Sequence, residues 1–136
     1  MNAEALTQEH ILDTAEDVLR RHGPGKTTVV DVARALDVSH GSIYRHFPTK
    51  AALRDAVAER WLKRVSAPLA VIAAGDEPPP QRLRHWLESL AGAKRRKVFD
   101  DPELFATYHG LAEQARGVVD AHVRELCVQL TRIVED

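Results

Sequence analysis

Cysteine is almost missing from this chain: Cys127 stands alone among 136 residues. That excludes an internal disulfide and fits a reducing compartment. Cys127 falls in an apolar helical pattern, where a buried, inert thiol is expected. Long hydrophobic runs are also missing, and none approaches the roughly 20 apolar residues a membrane span requires. The opening stretch Met1–Gln8 is polar and does not read as a signal peptide, so a cytoplasmic protein is expected. Aromatics make up only 5% of the residues, and apolar–polar alternation of the strand type is absent. Chemistry-bearing motifs are equally scarce. There is no CxxC, no HExxH, no Gly-rich phosphate loop and no nucleophile elbow. No two of the seven histidines are spaced i, i+4 as helical metal ligands would be. His85, His109 and His122 lie on separate predicted helices and would meet at a metal only if the fold converged them. No catalytic residue, metal site or cofactor is therefore expected. The formal net charge of −1 argues against indiscriminate binding to a polyanion.

What the chain has is helical periodicity. Hydrophobic residues form 44% of it and charged residues 29%, with Ala, Leu, Val, Arg and Glu prominent. The fold class is read as all-α. Residues 7 to 22 predict a first helix capped by Thr7, with Ile11, Leu12, Ala15, Val18 and Leu19 on one face. Gly23-Pro24-Gly25 ends it. A fourth helix is predicted from Lys50 to about Ser66, with Leu53, Val57, Trp61 and Val65 along one stripe and Pro68 near its end. Gly75 to Pro80, with three consecutive prolines, predicts a surface loop. A fifth helix is expected over 81–93, carrying Leu83, Trp86, Leu87 and Leu90. The basic run Lys94 to Lys97 reads best as a solvated helix end. Asp101-Pro102 is a strong helix start, and a sixth helix should reach about Ala115. A seventh, from about residue 118, carries Val119, His122, Val123, Leu126, Leu130, Ile133 and Val134.

The most informative stretch lies between, at residues 28–50, TTVVDVARALDVSHGSIYRHFPTK with its preceding threonine. Thr28 and Asp31 form a pair like a capping box at the start of a helix over 29–36. Ser39 caps another over 40–46, and Pro48-Thr49 stops that one and caps the next. Two short helices joined by a tight turn make a helix-turn-helix pattern. A helix that enters the major groove needs small or polar residues in its first turn, which His40, Gly41 and Ser42 supply. It needs apolar anchors behind, and Ile43 and Phe47 lie four apart on one face. It needs donors for phosphates at its edges, where Tyr44, Arg45, His46 and Lys50 stand. The helix N-terminus at Thr28 offers backbone N–H groups to a further phosphate. No Asp or Glu occurs from Val38 to Arg54. A locally basic surface on a near-neutral protein suits sequence-selective DNA binding.

Residues 8–54 resemble the TetR family of bacterial transcriptional regulators. The resemblance rests on Thr28 with Asp31-Val32-Ala33, Val38-Ser39, Ile43-Tyr44-Arg45-His46-Phe47 and Lys50-Ala51-Ala52-Leu53. It implies phosphate contacts from Thr28, Tyr44, His46 and Lys50, and base contacts from His40, Gly41, Ser42 and Val30. One position departs from the family, which usually places Gly in the turn where this chain has Asp37. The resemblance further implies an N-terminal three-helix head, 1–48, joined through a long fourth helix to an antiparallel effector-binding and dimerising body, 49–136. The two further long helices common in the family would follow Asp136, or dimerisation would use other surfaces. The implied partners are a palindromic DNA operator, a small-molecule effector and a second copy of the chain; the implied function is repression. Trp86, Phe99, Phe105, Tyr108, His109, His122 and Leu126 are candidate pocket-lining residues, against the plainer reading that they form core. The rival reading of the whole chain is a ligand-binding or protein-interaction module whose helix-turn-helix head is unused.

Overall fold

The structure, a computed structural model, describes residues 6–23, 29–100 and 102–136, apart from the side chains of 97–100 and 104. The described residues form seven helices: α1 Gln8–His22, α2 Val29–Leu36, α3 His40–Tyr44, α4 Lys50–Ala73, α5 Pro79–Asp100, α6 Pro102–Gln114 and α7 Arg116–Glu135. They pack into two compact units. One takes Met1–Ala58 with Thr107–Ala115, the other Glu59–Ala106 with Arg116–Asp136. The first turns of α4, as far as Ala58, belong to the first unit.

In the first unit, Thr7 caps α1 by accepting from the His10 N–H at 3.1 Å. Gly23 ends it at φ 78°, donating its N–H to the Leu19 carbonyl at 2.8 Å. Ile11, Ala15, Val18 and Leu19 are buried, as their spacing requires. Val29, Val32 and Ala33 of α2 are buried as well, and so are Leu53 and Val57 of α4. The expected α2 cap at Thr28 and the Asp101 cap of α6 lie outside the described residues. Asp37 holds the turn between α2 and α3 at φ 56°, in the left-handed region. Its N–H donates to the Arg34 carbonyl at 3.2 Å, and the Val38 N–H to the Ala33 carbonyl at 3.0 Å. A left-handed residue costs Asp less than most side chains. Asp37→Ala is therefore expected to lower stability by about 1 kcal/mol, with Asp37→Gly neutral or stabilising. Thermal denaturation of the two variants checks this; equal melting temperatures would remove the argument.

The second unit corrects three expectations. α4 does not stop near Ser66 but continues through Pro68 to Ala73. Pro68 has no N–H for the Arg64 carbonyl, and an interior proline costs about 3 kcal/mol. Beyond it, however, Leu69 and Ala73 reach a core shared with Trp86 and Ile133. Each large apolar side chain buried there contributes about 1.5–3 kcal/mol, enough to outweigh the break. α5 begins earlier than expected, with Pro79 and Pro80 inside it. The first turn of a helix has no use for its N–H groups. Here the first to bond is Arg82, whose N–H meets the Pro78 carbonyl at 2.9 Å. Cys127, expected to be buried, is exposed. The inward face of α7 follows Leu126, Gln129, Leu130 and Ile133, and Cys127 lies about 100° round the helix from Leu126.

Two polar arrangements fix this unit. The Arg82 guanidinium, only 6% exposed, donates to the Gly75 carbonyl at 3.0 Å and pairs with the Asp136 carboxylate. It therefore ties the α4–α5 turn to the end of α7. Gln129, 4% exposed, accepts from the Trp86 indole N–H at 2.9 Å and donates to the Ser66 carbonyl at 3.1 Å. One amide thus links α4, α5 and α7.

Candidate functional site

The head presents a short helix on a buried footing. Ser39 accepts from the Ser42 N–H at 3.3 Å and starts α3. Five residues cannot hold a helix in water by themselves. Ile43, fully buried, and Phe47, 7% exposed, anchor it against the rest of the head. The turn continues through Arg45 and His46, whose N–H groups donate to the Gly41 and Ile43 carbonyls at 3.1 and 3.0 Å. The helix is therefore shorter than the 40–46 expected, with the last two residues in turns. Thr49 then caps α4, accepting from the Ala52 N–H at 3.0 Å.

With Ile43 and Phe47 turned inward, most of the remaining side chains reach solvent. His40, Gly41, Arg45 and Lys50 are exposed. Tyr44 is 36% exposed and Val30, on α2, 41%. Ser42 and His46 are half-buried. The Ser42 hydroxyl lies 3.0 Å from that of Ser39, so it is already engaged at the helix start. Thr28 lies outside the described residues. Gln8, which carried no signal in the sequence, donates from its side chain to the His46 carbonyl at 3.2 Å. It pins the start of α1 to the end of the α3 turn, a link spanning 38 positions that no local pattern reveals. Arg54 is paired with Asp55 at 3.1 Å, which leaves Arg45 and Lys50 as the cations nearest in sequence to α3.

The residues expected to line a pocket are divided between the units. Tyr108, 2% exposed, belongs to the first unit, as does His109, which is exposed and sits 3.3 Å from Glu113. Trp86 is core, and Leu126 packs against the same core. Phe105 is half-buried in the second unit, and the Phe99 side chain lies outside those described. Of those whose side chains are described, only His122 borders a groove of about 410 Å³ between α4 and α7. Leu62, Ala67 and Ala70 form one wall, Val118 and Ala121 the other, and Glu59, Lys63 and Glu125 bring charge to it. Among the described residues, no three His, Cys, Asp or Glu side chains gather as a metal would require. His85 instead meets Glu77 at 3.0 Å. No helix of the described residues is long and apolar enough to cross a membrane.

An N-capped helix, docked by two buried anchors behind a left-handed turn and followed by a capped long helix, defines a helix-turn-helix head. Residues 11–57 match the family model described as bacterial regulatory proteins, tetR family. Residues 79–136 match the tetracyclin repressor-like C-terminal domain. Over 90 residues, 62% of its length, the chain is 39% identical to the probable acrEF/envCD operon repressor of Escherichia coli strain K12, covering 40% of that protein. Over 103 residues, 76% of its length, it is 31% identical to an uncharacterized HTH-type transcriptional regulator of Mycobacterium tuberculosis, covering 49% of it. The chain thus spans about half the length of these relatives. Its fold is similar to that of SmeT, the repressor of the Stenotrophomonas maltophilia multidrug efflux pump SmeDEF. The TM-score there is 0.72 at 21% identity, over 96% of this chain and 62% of that one. The chain belongs to the tetR family of bacterial regulatory proteins.

Proposed function

We propose that the chain is a sequence-specific DNA-binding regulator of transcription. One observation carries the reading: α3 is held from behind by Ile43 and Phe47 while His40, Gly41 and Tyr44 remain outside. In the complex, α3 enters the major groove. His40, Gly41 and Ser42 meet base edges together with Val30 of α2, and Thr28, Tyr44, Arg45, His46 and Lys50 hold the phosphates. Two copies bind an inverted repeat, their recognition helices about 34–36 Å apart, one turn of the duplex. Repression is favoured by the name of the Escherichia coli relative, which describes an operon repressor. The chain acts in the cytoplasm, where its operator lies. It needs no cofactor and catalyses no reaction.

A small-molecule effector controls release. Its site is the groove between α4 and α7, bordered by His122. α4 and α6 each contribute residues to both units, and these two helices carry the coupling. The effector must bind the released arrangement more tightly than the DNA-bound one.

The test is fluorescence anisotropy on inverted repeats taken from the gene's own upstream region, across a range of salt concentrations. Affinity should fall steeply with salt. Lys50→Ala should weaken binding about tenfold on all sequences alike and flatten the salt slope by about one. Binding that ignores both salt and Lys50 would sink the regulator reading and favour a module with an idle head.

A further inference from the structure

The first unit holds a cavity of its own, about 180 Å³, lined by none of the residues of the α4–α7 groove. Its walls are buried apolar side chains: Ala15 and Leu19 of α1, Val29 of α2, Leu53 and Val57 of α4 and Leu111 of α6. Leu111 joins the others because Thr107–Ala115 packs with the head. A close-packed interior leaves few voids larger than a water molecule, so a space of this size is unusual. An apolar cavity of about 150 Å³ stays dry and admits a benzene ring. The one in the head therefore has room for a single ring with a small polar group. It is too small for the larger molecules that fill pockets of about 300 Å³ or more.

The polar groups on its border carry charge of one sign. Among the described residues these are Lys50, Arg54 and Gln114, with no carboxylate beside them. Arg54 is already held: its Nε and a terminal nitrogen both reach the same Asp55 oxygen, each at 3.1 Å. Lys50 is exposed and makes no ion pair among the described residues. The lining thus puts one uncompensated ammonium next to an apolar chamber. A ligand that satisfies both has a ring for the chamber and an anion for Lys50. A cation of the same shape would meet Lys50 with like charge.

We infer that this cavity is a binding site for compact aryl carboxylates, with Lys50 as the residue that selects their charge. Lys50 also stands among the residues proposed to hold operator phosphates. Carboxylate and operator then compete for one ammonium, and each weakens the other by the same factor. That competition rests on the regulator reading above; the binding itself does not.

The experiment is a titration of the whole chain, without DNA, with benzoate and separately with benzamidinium at constant ionic strength, followed in the amide NMR spectrum. The two ions have nearly the same shape and opposite charge. Benzoate should saturate at one per chain, with the largest shifts at Leu19, Val29, Leu53 and Leu111. It should bind about fivefold more tightly than benzamidinium, the discrimination an exposed ammonium allows. Lys50→Gln keeps a long polar side chain and removes the charge, so it should lower benzoate affinity about threefold and bring the two ions together. Ala51→Phe, at an exposed position on the border of the cavity, should block it and abolish the shifts with the thermal transition retained. Equal binding of the two ions, benzoate shifts confined to α5 and α7, or unchanged benzoate affinity in Lys50→Gln overturns the assignment. So does full benzoate binding by Ala51→Phe. A second titration, with operator DNA in saturating benzoate against chloride of equal ionic strength, reads the competition. Operator affinity should fall about threefold in the wild-type chain and stay level in Lys50→Gln. Operator affinity that ignores benzoate in the wild-type chain overturns the sharing of Lys50. A chain that binds benzoate selectively but no operator keeps the cavity and loses the regulator.

Discussion

Ile43→Ala is expected to lower the stability of the head by about 3–4 kcal/mol, within the range for truncating a fully buried isoleucine. Ile43 is completely buried, and α3 has only five residues, His40–Tyr44. Such a helix exists only through what it packs against. Losing three side-chain carbons therefore does more than leave a cavity. It frees the Ser39-capped turn that carries His40 and Gly41, and on the regulator reading it abolishes operator binding. Hydrogen exchange read by mass spectrometry locates the effect. Protection should collapse in α2, α3 and the start of α4, and survive in α5 and α7. Intact protection across α3 in Ile43→Ala would show that Phe47 suffices as an anchor.

Gln129→Met is expected to cost about 2–3 kcal/mol, although it preserves the length and much of the volume of the side chain. The cost is polar. The Trp86 indole is 3% exposed and donates to Gln129. With methionine there, that N–H has no acceptor, and an unsatisfied buried donor costs about 1–3 kcal/mol. The Ser66 carbonyl loses a partner as well. Trp86→Phe in the wild-type background should also destabilise, by orphaning the Gln129 carbonyl and shrinking the core. The double variant should lose less than the sum of the two, because removing both ends of the indole–amide bond leaves neither of them as an orphan, and only the Ser66 contact stays lost. Denaturant unfolding of the four proteins measures the coupling. Strict additivity would mean that the hydrogen bond contributes nothing.

These two residues differ in how plainly the sequence announced them. Ile43 and Phe47 are apolar, four apart, between a capping serine and a proline. Spacing and capping are local properties, so the sequence alone was enough to place them at the base of α3. Asp37 was legible for the same reason: two helices that close must have a turn between them, and the turn lies at φ 56°. Gln129 gave no such signal. It interrupts an apolar face at a position where most glutamines would be solvated, and its partners lie 43 and 63 positions away. Cys127 misled in the opposite sense. Its neighbours are apolar, yet one step along a helix turns a side chain by about 100°, and that carried it off the packed face.

The sequence by itself determined the all-helical class, the caps at Thr7, Ser39 and Thr49, and the two anchors of α3. Each depends on interactions within a few residues, which the order of side chains specifies directly. Tertiary structure alone decided that α4 should continue through Pro68, because the burial of Leu69 and Ala73 with Trp86 and Ile133 outweighs one missing backbone bond. It also decided that Thr107–Ala115 packs with the head. The expected pocket residues were divided between two units for the same reason. Aromatic and histidine side chains in the sequence show what a pocket could be lined with. Which helices face one another, and so which carboxylate borders the groove, follows only from long-range packing.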